Sequence, residues 1–551
     1  MRRRKRPALW NQDRHRPTDA AFSLNLPTFR FRASRRLRGS VAGPVALAGL
    51  ATSAIVALLA GLGPTKSIAA VFGLLLTAAM LEWPIIGLVL VVLSGTCFQI
   101  MGGEAITGLP LSLGKLFGIL TLGMWLLKFL RDRIPFTYSP QMLALLAYFI
   151  AMLIVGVLVH PTQPAVENGI MRFFQAFVVF WLMANLAGTD RRALLIGCGS
   201  ITGGMAICGI IGTLEHFVPS FAIESDDPAL KFGAIGAVLD HDSLQGVSLR
   251  RITGGLGDSN WLADSVVAAM PLNLFWWWIS RGFLAKSLVI AVSALQFLAL
   301  ILSYTRAGFL GLGVAVLFLV WRRVISVRLL AWGSVAAILV ALVWLPPGFM
   351  DRVFSVKYLE EGSTPMRKDL TGTALLFALE RPILGYGYGQ FGIEFISRVN
   401  TDLSNRIGAW GFELVRAVEE GRELAQDVGA HNLYLEILVE YGLLGLIPFL
   451  AFMGLMLYDL RCAERWGNEE QRLLAICIAA GLIGFFVSGM FVHAKYLKIL
   501  WFMAGLAAAQ RRVVLTTSWH VVGAPHGDKP DDPVAAEPAD GRPPPPAGSR
   551  S

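Results

Sequence analysis

Three residues combine chemical capability with a costly setting: Arg251, Arg306 and His431 each sit at the edge of an apolar segment, where a retained charge or titratable group invites a functional account. Arg251 opens the stretch Arg251-Ile-Thr-Gly254-Gly255-Leu-Gly257-Asp258-Ser259-Asn260. The N–H groups of a glycine-rich turn, the N-terminus of the helix that follows and a guanidinium together make a cradle for phosphate. The plainer reading is a turn capped by Asp258, Ser259 or Asn260, with Arg251 snorkelling to the surface. Arg306 is a lone cation in Tyr304-Thr305-Arg306-Ala307-Gly308, between two apolar runs. Its natural partner is a phosphate held by two parallel N–H bonds. Snorkelling, or paired with an acid of an outer loop, it would serve structure alone.

His431 begins His431-Asn432-Leu-Tyr434-Leu-Glu436-Ile-Leu-Val-Glu440-Tyr-Gly442. An imidazole there can move a proton near neutral pH, or hydrogen-bond a sugar or phosphate oxygen; the alternative is a satisfied interfacial histidine. Glu436 and Glu440 are four apart and share one helical face. Glu440 lies about 13 Å along the helix from the histidine, deep enough to require a cation or a proton. The stretch Glu380 to Phe391, with Gly385, Gly387 and Gly389, reads as a backbone-shaping turn, because it has neither the strand-plus-helix frame of a dinucleotide fingerprint nor a Walker lysine. Arg367 upstream is a weaker candidate for anion contact.

The elements that must position these groups are membrane helices. Of 551 residues, 55% are hydrophobic and 16% charged, with a mean hydropathy of +0.59. The charged share falls below the ~25% usual in soluble domains, which excludes a single soluble enzyme domain. Apolar segments fall near 44–62, 67–81, 84–100, 114–130, 140–158, 166–187, 192–213, 262–280, 286–304, 307–321, 329–346, 433–458, 471–492 and 496–510. The expected fold is therefore all-α, a polytopic membrane helix bundle of about 12–14 transmembrane helices with a large helical outer loop. The second and third segments, parted only by Leu81-Glu82-Trp83, could form a re-entrant pair.

The net charge of +10 sits in the first 40 residues, where twelve Lys/Arg meet only Asp13 and Asp19. Such an arm before the first span belongs in the cytoplasm and excludes a nucleic-acid reading of the high pI. Counting spans from it, the inner loops carry Lys128, Arg131 and Arg133, then Arg191 and Arg192, Arg281 and Lys286, Arg322, Arg323 and Arg328, Arg461, Arg465 and Arg472, and Arg511 and Arg512. The outer loops are nearly free of Lys and Arg, and this parity puts Arg251, Arg306 and His431 on the same outer face. The organisation reads as a basic arm (1–40), N-terminal spans (41–213), an acidic outer loop (214–261), further spans (262–346), a large outer loop (347–430), C-terminal spans (431–511) and a Pro-rich cytoplasmic tail (512–551) expected to be disordered. Five scattered cysteines without a CxxC pair and eight histidines without a helical ligand pair point to neither disulfide nor metal.

Taken in order, Arg251-x-x-Gly254-x5-Asn260-x-x-Ala263, Thr305-Arg306-Ala307-Gly308, Pro382-x-Leu384-Gly385-x-Gly387-x-Gly389-x-Phe391 and His431-Asn432-x-Tyr434-Leu435-Glu436-x3-Glu440-x-Gly442 resemble the O-antigen ligase and Wzy-type polymerase superfamily of bacterial inner-membrane glycosyltransferases, over roughly residues 165–510. Members often show Asn-Pro-Asn where this chain has Asp258-Ser259-Asn260, and Ser-Arg where it has Thr305-Arg306. The resemblance implies a GT-C-like bundle that transfers a glycan from undecaprenyl pyrophosphate to an acceptor hydroxyl at the periplasmic face, with no nucleotide sugar, metal or other cofactor. The acceptor would be lipid A-core, a second lipid-linked repeat in O-antigen or exopolysaccharide synthesis, or another envelope molecule; the other partners are membrane lipids. On that chemistry Arg251 and Arg306 would neutralise the departing pyrophosphate and His431 would bind or deprotonate the acceptor hydroxyl. Asn260, Arg367, Asn432, Glu436 and Glu440 would bind or support, the two glutamates by pairing with an arginine or fixing the histidine tautomer. A polysaccharide or lipid-carrier transporter would also need many spans and anion-binding arginines. Transporters place such charges near the midplane on repeated, broken helices, whereas here they gather at one face with no visible repeat.

Overall fold

The computed structural model describes residues 73, 75–97, 112–132, 137–159, 163–218, 251–331, 333, 335, 363–398, 428–495 and 497–522. The expected basic arm, the first span at 44–62, most of the span at 329–346, the acidic stretch 219–250 and the tail beyond 522 lie outside them. Among the described residues the architecture is all helical. In chain order the principal helices are α1 (Pro84–Cys97), α2 (Leu113–Asp132), α3 (Gln141–Leu158), α4 (Gln163–Leu182), α5 (Arg191–Phe217), α6 (Ser259–Ala269), α7 (Leu272–Ile279), α8 (Phe283–Leu302), α9 (Arg306–Trp321), α10 (Ser363–Glu380), α11 (Gln390–Arg398), α12 (Leu433–Trp466), α13 (Glu469–Ser488) and α14 (Lys498–Val522). A helix Leu75–Glu82 precedes α1 and is bent from it by 115°, at the point where the sequence allows a re-entrant pair.

Eight of the described helical segments are long and apolar enough to cross a membrane, or nine if the bent pair is one span. The chain is a multi-pass membrane protein. Local signals set the helix ends: the Asp190 carboxylate accepts from Ala193 N at 2.9 Å to start α5, and Asn468 with Gln471 forms a reciprocal capping box at the start of α13. α13 and α14 form the centre, α13 packing on α9, α6 and α12, and α14 on α12 and α4. By contrast only 17% of the α8 window is buried, and Phe283, Leu284 and Leu288 present more than half of their surface, which suits a lipid-facing helix.

Four of the cations counted as inner meet acids at the end of α12 remote from His431 or at the adjoining start of α13. Arg191 pairs with Glu470 at 2.7 Å, Arg461 with Glu464 at 2.9 Å, Arg322 with Glu464, and Arg511 approaches the buried Asp459 at 3.5 Å. The residues of chemical interest collect at the opposite end, so the bundle has a basic, ion-paired end and an end that gathers the candidate residues.

Two segments of the large loop region dock on α12 and break it. At Gly442 the backbone turns to φ 60°, ψ −162°, and the run 382–387 lies against the break. Tyr386 N donates to Val439 O and Gly387 N to Glu440 O, each at 2.8 Å, while Leu443 N donates to Pro382 O at 2.8 Å and Leu444 N to Ile383 O at 3.2 Å. Backbone groups freed inside a membrane must find partners within the protein, and the loop supplies them. A Cβ at Gly442 would stand 2.2 Å from Ile383 O, besides requiring a positive φ. Gly442→Ala is therefore expected to destabilise by more than about 1 kcal/mol, measured as a lower melting temperature of the purified protein in detergent; an unchanged melting temperature would mean the break is not tightly held.

Candidate functional site

The Gly-rich turn is anchored from several sides. Gly255 takes φ 82°, and a Cβ there would lie 2.3 Å from Cys97 O, so the turn packs directly on the last turn of α1. Glu215, near the end of α5, accepts from Thr253 N at 2.9 Å, Gly254 N at 3.1 Å and Thr253 Oγ1 at 3.3 Å. These N–H groups, expected to cradle a phosphate, thus hold the chain's own carboxylate. Asp258 is the cap of α6, its Oδ1 accepting from Asn260 N at 2.6 Å and Trp261 N at 3.2 Å.

Arg251 is 8% exposed and works as a staple. Its Nε donates to Ser303 O at 2.9 Å, and one terminal nitrogen donates to Asn260 Oδ1 and Thr305 Oγ1, each at 3.1 Å. The turn, the start of α6 and the start of α9 are thereby joined through one guanidinium. Arg306, the first residue of α9, is half-buried next to this staple.

Asn260 leads directly to His431. The next residue, Trp261, donates from Nε1 to His493 O at 3.3 Å and meets the His493 ring edge-on at 5.7 Å between centroids. His493 in turn packs edge-on against His431, with ring centroids 5.2 Å apart. His431 itself is held at φ 49°, and Asn432 accepts from Tyr434 N at 3.0 Å and Leu435 N at 3.1 Å as the cap of α12. Arg367, half-buried on α10, lies close enough to act electrostatically on both His431 and Asp264. Burial, then the adjacent His493 and the positive Arg367, hold the His431 imidazole well below its usual range. It is neutral at pH 7.

The cation required by Glu436 and Glu440 is present, and it is a lysine rather than an arginine. Lys495 Nζ lies 2.7 Å from Glu436 Oε1 and 2.6 Å from Glu440 Oε2, all three side chains being at least nine-tenths buried. Glu440 Oε1 also accepts from Gly389 N at 2.9 Å, and the ammonium sits 5.4 Å from the Tyr388 ring centre. The triad thus clamps the glycine loop to α12. Several buried polar atoms have no described hydrogen-bond partner: His431 Nδ1, His493 Nδ1, and the carboxylate acceptors Glu436 Oε2 and both oxygens of Asp264, one turn along α6 from Asn260. The Ser488 hydroxyl neighbours Asp264 but donates to Phe485 O.

All the sequence candidates therefore gather at one end: Arg251, Asn260, Arg306, Arg367, His431, Asn432, Glu436 and Glu440. His493, Lys495, Glu215 and Asp264 were not among them. Lys495 carried a usable signal, a cation in an outer connection otherwise poor in them; His493, Glu215 and Asp264 did not. Among the described residues no group of His, Cys, Asp and Glu could hold a metal ion.

Residues 290–450, from α8 through the break in α12, match the family model of O-antigen ligase. This stretch, less than a third of the chain, is similar to an O-antigen ligase domain. That domain contains Arg306, Arg367, His431, Glu436 and Glu440, while Arg251, Asn260, His493 and Lys495 reach it from outside the matched span. No curated protein matches the chain at a significant level. The O-antigen ligase family supports a ligase- or polymerase-like, glycosyltransferase-type function with glycan and lipid-linked substrates.

Proposed function

We propose that this protein moves a glycan from undecaprenyl pyrophosphate to an acceptor hydroxyl at the periplasmic face of the bacterial inner membrane, with both termini in the cytoplasm. The observation that carries the reading is the pairing, at one end of the bundle, of guanidiniums with buried polar atoms, carboxylate acceptors among them, that have no described hydrogen-bond partner. Guanidiniums suit a pyrophosphate, and acceptors suit the hydroxyls of a sugar. In the reaction, the acceptor oxygen forms a bond to the anomeric carbon as the bond from that carbon to the pyrophosphate oxygen breaks. The leaving group departs with the electron pair and the hydroxyl proton passes to neutral His431. Arg306 and Arg367 face the growing negative charge, and Arg251 adds its charge while it fixes the start of α9. Asn260 holds the Arg251 guanidinium, Asn432 caps α12 next to His431, and the Lys495 triad clamps the glycine loop to α12.

The test is transfer in lipid by purified protein given undecaprenyl-pyrophosphate glycan, first alone and then with lipid A-core. Longer lipid-linked chains without added acceptor mean polymerase, and product on lipid A-core alone means ligase. Arg306→Ala is expected to reduce either product by about 10²–10³-fold, the usual loss when one stabilising cation or donor is removed, with Arg306→Lys recovering only part of it. Equal rates for wild type and Arg306→Ala would exclude Arg306 from the reaction. No product with either acceptor, together with uptake of the lipid-linked glycan across vesicles, would establish the transporter instead.

A further inference from the structure

A pair of lysines at the same end as the candidate residues lies outside the site just described. Lys498 opens α14, and its side-chain stem passes 3.2 Å from where a Cβ on Gly95 would be, in the last turn of α1. Its Nζ reaches to 3.5 Å from the corresponding position on Gly114, in the first turn of α2, which the Ser94 hydroxyl also approaches to 3.5 Å. Lys115, the residue after Gly114, is close enough to repel it electrostatically. Among the described residues neither ammonium has an ion pair or side-chain hydrogen bond. Two like charges gathered from separate helices disfavour each other, and a bound anion turns that repulsion into attraction. The glycine turn that follows Arg251 packs on the same last turn of α1, through Gly255 and Cys97 O.

We propose that Lys115 and Lys498 form a phosphate-binding site at the membrane surface, distinct from the His431 site and from the Arg251 turn, which packs on the same end of α1. The phosphate belongs to a lipid headgroup: α2 turns Ile119 and Leu126 outward, 61% and 46% exposed, so acyl chains have an apolar face to lie on below the two ammonium groups. The site does not depend on the ligase reading, and its test requires no transfer.

The full chain is placed in phosphatidylcholine nanodiscs and titrated with a fluorescent short-chain phosphatidic acid. Lys115→Gln/Lys498→Gln is expected to weaken binding at least tenfold, the double arginine variant to restore it, and Lys286→Gln, on a cation outside this pair, to leave it unchanged. If the double glutamine variant does not accumulate, Lys115→Gln alone, at an exposed position, is expected to lose severalfold. Competition by millimolar inorganic phosphate as effective as by the lipid would keep the site and assign its phosphate to a soluble source. Wild-type affinity in the glutamine variants would overturn the proposal.

Discussion

His431→Ala is expected to lower glycan transfer by about 10²–10⁴-fold, the range over which a positioned general base contributes, while the protein inserts and accumulates at near-normal levels. The imidazole packs on the His493 ring, and the cap that starts α12 is supplied by Asn432, which the substitution leaves in place. The variant and the wild type are compared for kcat/KM and for abundance in the membrane. Loss of the protein with the activity would make His431 structural. The pH dependence follows in sign from its burial. A histidine with a depressed pKa stays unprotonated, and so able to take a proton, to lower pH than a free imidazole. The wild-type rate should therefore persist well below pH 6.5, and an acid limb centred near 6.5 would show that the group titrates as if exposed. His493, whose ring borders that of His431, is expected to alter KM or the position of the acid limb rather than abolish turnover.

Lys495→Met is expected to have the largest effect on stability. It leaves Glu436 and Glu440 buried without their cation, and removal of one partner from a buried ionic group costs about 3–5 kcal/mol. The measurement is melting temperature in detergent, or membrane abundance where the variant is too unstable to purify. Adding Glu436→Gln and Glu440→Gln to Lys495→Met should recover part of the loss, because the orphaned charges go with their partner. A melting temperature within a degree of wild type for the single variant would mean that water or lipid headgroups solvate the triad.

The fold class was legible because a bilayer imposes length and apolarity on each crossing, and the separation of basic loops from the candidate residues reappears as two ends of one bundle. The site was legible where a residue's own setting is informative: Arg306 at the edge of a span, or two glutamates at helical spacing that demand a cation. The identity of that cation was not legible, because Lys495 follows Glu440 by 55 residues and meets it only once α12 and the connection before α14 are packed together. The glycine turn shows the same limit from the other side. Its N–H groups suit an anion, yet Glu215, 38 residues earlier, takes the place expected for a phosphate.

The break in α12 also constrains protein engineering. Residues 382–387 and 439–444 exchange backbone hydrogen bonds in both directions, with Gly442 leaving room for Ile383 O. A chimera that imports a foreign segment in place of the large loop must therefore carry both stretches from the same parent, since either one alone would face an unmatched hydrogen-bonding edge in the middle of an apolar helix.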